Sequence, residues 1–157
     1  MANSLFVVIP SQNGFAPSDD DLTVALSDLP EYVPAKFGMV DSTLDSAAVG
    51  RLMSTLGKLG VVVDLLDNGV YSFSFTAESK DNYFRDAYWH VRDTVSALTL
   101  EEFASNSFSM FNLKTSIENV FGDAVYDGQL KSLDTFVREA EIGWPYYIKC
   151  AYPIHYN

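Results

Sequence analysis

Two histidines, one cysteine and a surplus of carboxylates are the groups in this chain that could do chemistry. Cys150 and His155 lie close in sequence, and together they suggest a nucleophile and its base, which needs a thiol of lowered pKa. Cys150, however, alternates with Tyr146, Ile148 and Tyr152 in a run that reads as a strand. There a free cysteine behaves as a small hydrophobe. His90 stands between Trp89 and Val91, with Asp86 four residues earlier; one helical turn would bring that acid beside the imidazole, and a general base needs such a partner. Asp64 interrupts an apolar strand, and a carboxylate enclosed by a fold is a natural acid or base. Asp64 and His90 are therefore the two catalytic candidates, neither of them part of a motif.

Asp19, Asp20 and Asp21 offer oxygen ligands of the kind that Mg²⁺ and Ca²⁺ take. Consecutive helical residues point about 100° apart, so these three do not converge on one ion. They read instead as the start of a capped helix and as a contact patch for a basic partner. No metal and no cofactor is expected. The chain has no Gly-rich phosphate loop, no H-x-x-x-H, no G-x-S-x-G and no C-x-x-C, the spacings that carry phosphate, zinc, acyl-transfer or redox chemistry.

Charge says more than motif. Acidic residues outnumber basic ones 21 to 10, for a formal net charge of −11. Such a field repels phosphate backbones and anionic membranes and steers a protein toward basic surfaces. No direct nucleic-acid or membrane contact is expected. The N-terminal run lacks a basic flank and no stretch is long enough to span a bilayer, and a single cysteine fits a reducing compartment, so a cytoplasmic location is expected.

The elements that must position these groups follow from periodicity. VVVDLLDNGVYSFSFT, over 61–76, is a β-hairpin. A two-residue Asn68-Gly69 turn would place Asp64 on the face of Phe73, whereas a three-residue loop with Gly69 left-handed puts Val61, Val63, Leu65, Tyr71, Phe73 and Phe75 together. The second arrangement avoids burying a lone carboxylate and is the one expected. Further strands are expected near 4–10 and 145–152, with the hairpin strands near 61–67 and 70–76 and a short one over 36–40. Helices are expected near 19–29, 44–59, 80–98, 114–121 and 129–141, from apolar spacings of three and four and from caps at Ser18, Ser42 and Ser79. Phe84, Tyr88, Val91, Val95 and Leu98 form the stripe of the longest helix. The segment 123–128 reads as a loop with an Asp127-Gly128 turn.

These elements predict one α+β domain over 1–157: a mainly antiparallel sheet with helices packed on it. The expected function is an acidic inhibitor that covers a basic or nucleic-acid-binding surface of a partner protein. Phage counter-defence and immunity proteins share this profile as a class, nucleic-acid mimicry included. Asp19, Asp20, Asp21, Glu101, Glu102, Tyr147 and Tyr156 are the expected partner contacts. The alternatives are a small enzyme acting on a nucleotide or metabolite, and an assembly protein that forms homo-oligomers through the aromatic C-terminal strand.

Overall fold

LFVVI, the continuous apolar run near the N-terminus, is buried over its whole length because it lies inside a sheet with both faces covered. The computed structural model describes residues 3–11, 14–22, 39–40, 45–111, 113 and 122–155. Its strands are β1 (Asn3–Pro10), β2 (Met39–Val40), β3 (Val62–Leu65), β4 (Tyr71–Ser74), β5 (Asp123–Tyr126), β6 (Gln129–Ser132) and β7 (Tyr146–His155). They form one sheet in the order β3-β4-β7-β1-β5-β6, with β2 also paired to β7. The β1–β5 pair is parallel and the other pairs are antiparallel. The helices are α1 (Ser46–Lys58), α2 (Ala77–Ala97), α3 (Leu100–Ala104) and α4 (Leu133–Glu139). The chain is thus an α+β fold with a mostly antiparallel sheet.

The hairpin takes the bulged register. Leu65 pairs with Tyr71 and Asp64 with Ser72. Gly69 N donates to Leu66 O at 3.0 Å, Leu66 N donates to Val70 O at 2.8 Å, and Gly69 has φ +80°. That is a type I turn closed by a left-handed glycine. Phe73 and Phe75 enter the main core, while Val70 packs on the opposite face with Ile9, Leu22 and Tyr147.

The main core lies on one face of the sheet, where α1, α4 and the first turns of α2 cover it. Phe73, Phe75, Phe136, Tyr126 and Tyr146 meet there with ring centroids 5.1–6.5 Å apart. Ring contacts of this kind, edge-on or tilted, add about 0.5–1.5 kcal/mol each beyond the area they bury.

Several expectations are corrected. The helix over 129–141 is instead β6 followed by α4. The loop over 123–128 contains β5, and Asp127 and Gly128, both with positive φ, form the two-residue turn of a β5–β6 hairpin. The 3-4-3 spacing of Leu130, Leu133, Val137 and Ala140 arises from a strand running into a helix. Ser79 is not the cap of α2 but its third residue: Thr76 is the cap, and the two hydroxyls accept from each other's backbone N–H. Asp45 caps α1 by accepting from Ala48 N. The Ser18 cap stands, with Asp21 N donating to Ser18 Oγ and Ser18 N to Asp21 Oδ2. The helix over 114–121, the rest of 19–29, Ser42 and the start of the 36–40 strand lie outside the described residues.

Alternation along β7 also breaks. Val7 pairs with Cys150 and Val8 with Ile148, so Lys149 is an extra residue in a β-bulge. Tyr146, Ile148 and Ala151 therefore face the main core, whereas Cys150 and Tyr152 face a smaller cluster with Leu5, Val7 and Val125.

Candidate protein-binding arm

The sequence-derived candidates do not converge. Asp64 is exposed on β3, an edge strand, opposite Ser72. His90 is exposed on α2. Burial pushes the Cys150 thiol up to about 12, the reverse of what a nucleophile needs; the side chain of His155 lies outside the described residues. Asp19 and Asp20 are exposed, and two hydrogen bonds from Ser18 hold the Asp21 carboxyl below its ordinary range. Among the described residues no three His, Cys, Asp or Glu side chains are grouped to hold a metal ion, and no helix is long and apolar enough to cross a membrane.

Tyr147 is only 6% exposed and packs with Ile9, Leu22 and Val70. β7 pairs with β1 on one side, and on the other with β4 over Tyr146–Ile148 and with β2 at Ile154 and His155. Tyr156 lies outside the described residues. The carboxylates are spread over many elements, and several are engaged locally: Asp81 with Arg85, Glu139 with Lys131, Asp134 with Tyr83, and Asp45 at a helix cap.

What the structure does concentrate is exposed apolar surface, and it does so on one element. The base of α2 is firmly held. Asn82 Nδ2 donates to Leu59 O at 2.9 Å, just past the end of α1. Lys80 Nζ donates to Ala140 O at 2.7 Å and to Arg138 O at 3.2 Å, at the end of α4, where a cation also meets the negative end of the helix dipole. Tyr83 is fully buried and its hydroxyl donates to Asp134 Oδ1. Burial raises the Asp134 carboxyl above its ordinary range, and burial with that neighbouring carboxylate raises the Tyr83 phenol as well. Phe84 sits beneath the Arg138 guanidinium, 4.6 Å from the ring centroid.

Ala87 is the last buried residue of α2; none of residues 88–111 is buried. The helix continues for ten more residues, about 15 Å at 1.5 Å per residue. Along the rest of the helix the stripe is half-buried at Val91 and, at its end, Leu98, and exposed between them. Tyr88 is 58% exposed, Trp89 50% and Val95 47%. Leu98 leaves the helical conformation, and Thr99 Oγ1 accepts from Glu102 N to start α3. Leu100 is then 82% exposed, with Phe103, Met110 and Phe111 also more than half exposed. Glu101 and Glu102 stand between Leu100 and Phe103, and both are exposed.

Sequence reasoning identified the stripe and the two glutamates but not that burial along α2 stops at Ala87. At roughly 150–250 Å² for a whole aromatic side chain, the exposed apolar groups of the arm present on the order of 700 Å². The chain matches no protein-family model, no curated protein and no solved structure.

Proposed function

We propose that this protein works by protein–protein contact, as an acidic binding protein that covers a basic surface of its partner, with the tip of the α2–α3 arm as its contact element. The observation that carries this reading is the alternation at the tip: Leu100 and Phe103 exposed, Glu101 and Glu102 exposed between them, Met110 and Phe111 exposed nearby. Apolar anchors supply affinity, and the charged rim sets on-rate and partner choice. The net charge of −11 acts in the same sense over a longer range. An inhibitor of a nucleic-acid-binding protein is one form such a binder takes, and the arm would then sit over the partner's basic groove.

The test is capture from a lysate of the cell that makes the protein, with the wild type and a Leu100→Ser/Phe103→Ser chain as paired baits. A basic protein retained by the wild type, lost from the variant and released as ionic strength rises supports the reading. Equal retention by both baits, or retention indifferent to salt, rules the tip out.

A further inference from the structure

We infer that the outer side of β3 takes up an extended segment of a partner protein as an added antiparallel strand, with a basic residue opposite Asp64 and an apolar residue on either side of it. The contact uses neither the arm nor its tip.

The backbone carries the inference. β3 is an end strand of the sheet, and among the described residues no strand pairs with its outer side. Leu66 N donates to Val70 O, and Asp64 and Val62 stand opposite Ser72 and Ser74 in the same register. Hydrogen-bonded and non-bonded pairs alternate along an antiparallel ladder. Leu66, Asp64 and Val62 therefore bond inward to β4, and the N–H and C=O groups of Val63 and Leu65 point outward. Donors and acceptors repeated at every second residue of a strand are matched by one kind of ligand, another extended backbone. The side chains beside them are open: Val62 is 51% exposed, Leu65 is 62% exposed, and Asp64 is exposed.

Charge decides which backbone. An antiparallel guest that bonds both Val63 and Leu65 places a non-bonded residue opposite Asp64, where Cα atoms come within about 4.5 Å and side chains are closest. A second copy of β3 in that register sets its own Asp64 there, and like charges directly opposite are destabilising. β6, the other end strand, carries one cation, Lys131, and Glu139 holds it at 2.6 Å. A lysine or arginine on a partner meets Asp64 without either cost. Asp67 is exposed just beyond the strand, and the net charge of −11 acts in the same sense. The guest residues before and after the cation stand opposite Val63 and Leu65 and share their face of the sheet, so apolar side chains fit there.

The test is titration of the intact chain with an acetylated, amidated Thr-Val-Lys-Val-Thr peptide to about 5 mM, a range that reaches weak complexes, with amide exchange read by NMR. For a dissociation constant of about 1 mM, exchange at the Val63 and Leu65 amides should slow about sixfold, with the Leu100 and Phe103 amides unaffected. The same peptide N-methylated at both valines should slow neither. A Thr-Val-Glu-Val-Thr peptide should bind at least about fivefold more weakly, and Asp64→Lys, at an exposed position, should reverse that order. The inference is overturned by unchanged exchange at Val63 and Leu65, by equal binding of the two peptides, or by protection of those amides through self-association of the chain without peptide, which would make a second copy the occupant. Capture through the tip is not involved, so the two readings fail separately.

Discussion

Removing one oxygen at the base of the arm should destabilise the protein by an amount that depends on pH. In Tyr83→Phe the buried ring stays, and only the hydroxyl that donates to Asp134 is lost. A hydrogen bond to a charged group is worth about 1.5–3 kcal/mol, and Asp134 is only half-buried, so the lower end applies at neutral pH, about 1.5–2 kcal/mol. For a chain of this size each kcal/mol moves the melting temperature by about 2–4 °C, which gives a fall of about 3–8 °C. The sign of the pH effect follows from the raised Asp134 carboxyl. The native state holds that proton at pH values where the unfolded chain, with a carboxyl near 3.9, has released it, so this group's contribution to stability declines as pH rises through that window. The Tyr83 hydroxyl opposes the upward shift, and its removal steepens the decline. The cost of Tyr83→Phe should therefore be small at pH 3, grow above about pH 4 and level off at the higher value as pH approaches neutral. Tyr83 itself stays protonated throughout, since burial and the neighbouring carboxylate both raise it. Urea unfolding followed by tryptophan fluorescence at pH 3, 5 and 7 measures this directly. A cost that is the same at all three values would show that the Asp134 charge is not what the hydroxyl serves.

Other perturbations separate backbone, packing and charge. Gly69→Ala should cost about 1 kcal/mol, because Gly69 has φ +80° but open space around it. Gly122→Ala should cost clearly more by the same denaturant assay, since φ is +113° and a new Cβ would lie 3.2 Å from Ser4 O. Lys80→Met keeps most of the stem and removes the two bonds to the end of α4, which predicts a loss of about 1–2 kcal/mol in urea and a loosened α2–α4 contact by hydrogen exchange at Ala140. Cys150, its thiol pushed up to about 12 by burial, should react with a thiol reagent at pH 8 only as the protein unfolds. Equal labelling rates in native and denatured protein would contradict its placement.

Much of the fold was legible because a wrong choice carried a visible penalty. The hairpin register could be chosen because a one-residue slip would have turned Asp64 toward Phe73. The same reasoning could not say how exposed Asp64 is, because nothing in the sequence says that β3 is an edge strand. The β7 bulge left no trace: Tyr147, Ile148, Lys149 and Cys150 fit strict alternation as well as they fit an insertion at Lys149. The β5–β6 hairpin was hidden by strands of four residues each, in which Leu130 alternates with Gln129 and Lys131 while also standing three residues before Leu133. The stripe on α2 was plain from spacing. Whether anything covers it depends on where the sheet ends, which local pattern does not encode.

The uncovered arm also raises a question of how it stays helical. Residues 88–97 include Tyr, Trp, His, Val, Asp and Thr, none of them strong helix formers. Isolated helices shorter than about 12–15 residues are marginal in water. The arm persists because its nucleus is made elsewhere: the Thr76–Ser79 cap, the Asn82 and Lys80 bonds and the buried Tyr83 fix the first turns, and the later ones propagate from them at low cost. Propagation alone would serve equally well with a polar arm. An arm that exposes Tyr88 and Val95, then Leu100 and Phe103 at its tip, carries apolar surface that propagation does not require. Covering that surface would stabilise the helix and form the complex in one step. The anchoring at Tyr83 and the binding proposed for the tip would thus be energetically linked, although they share no side chain.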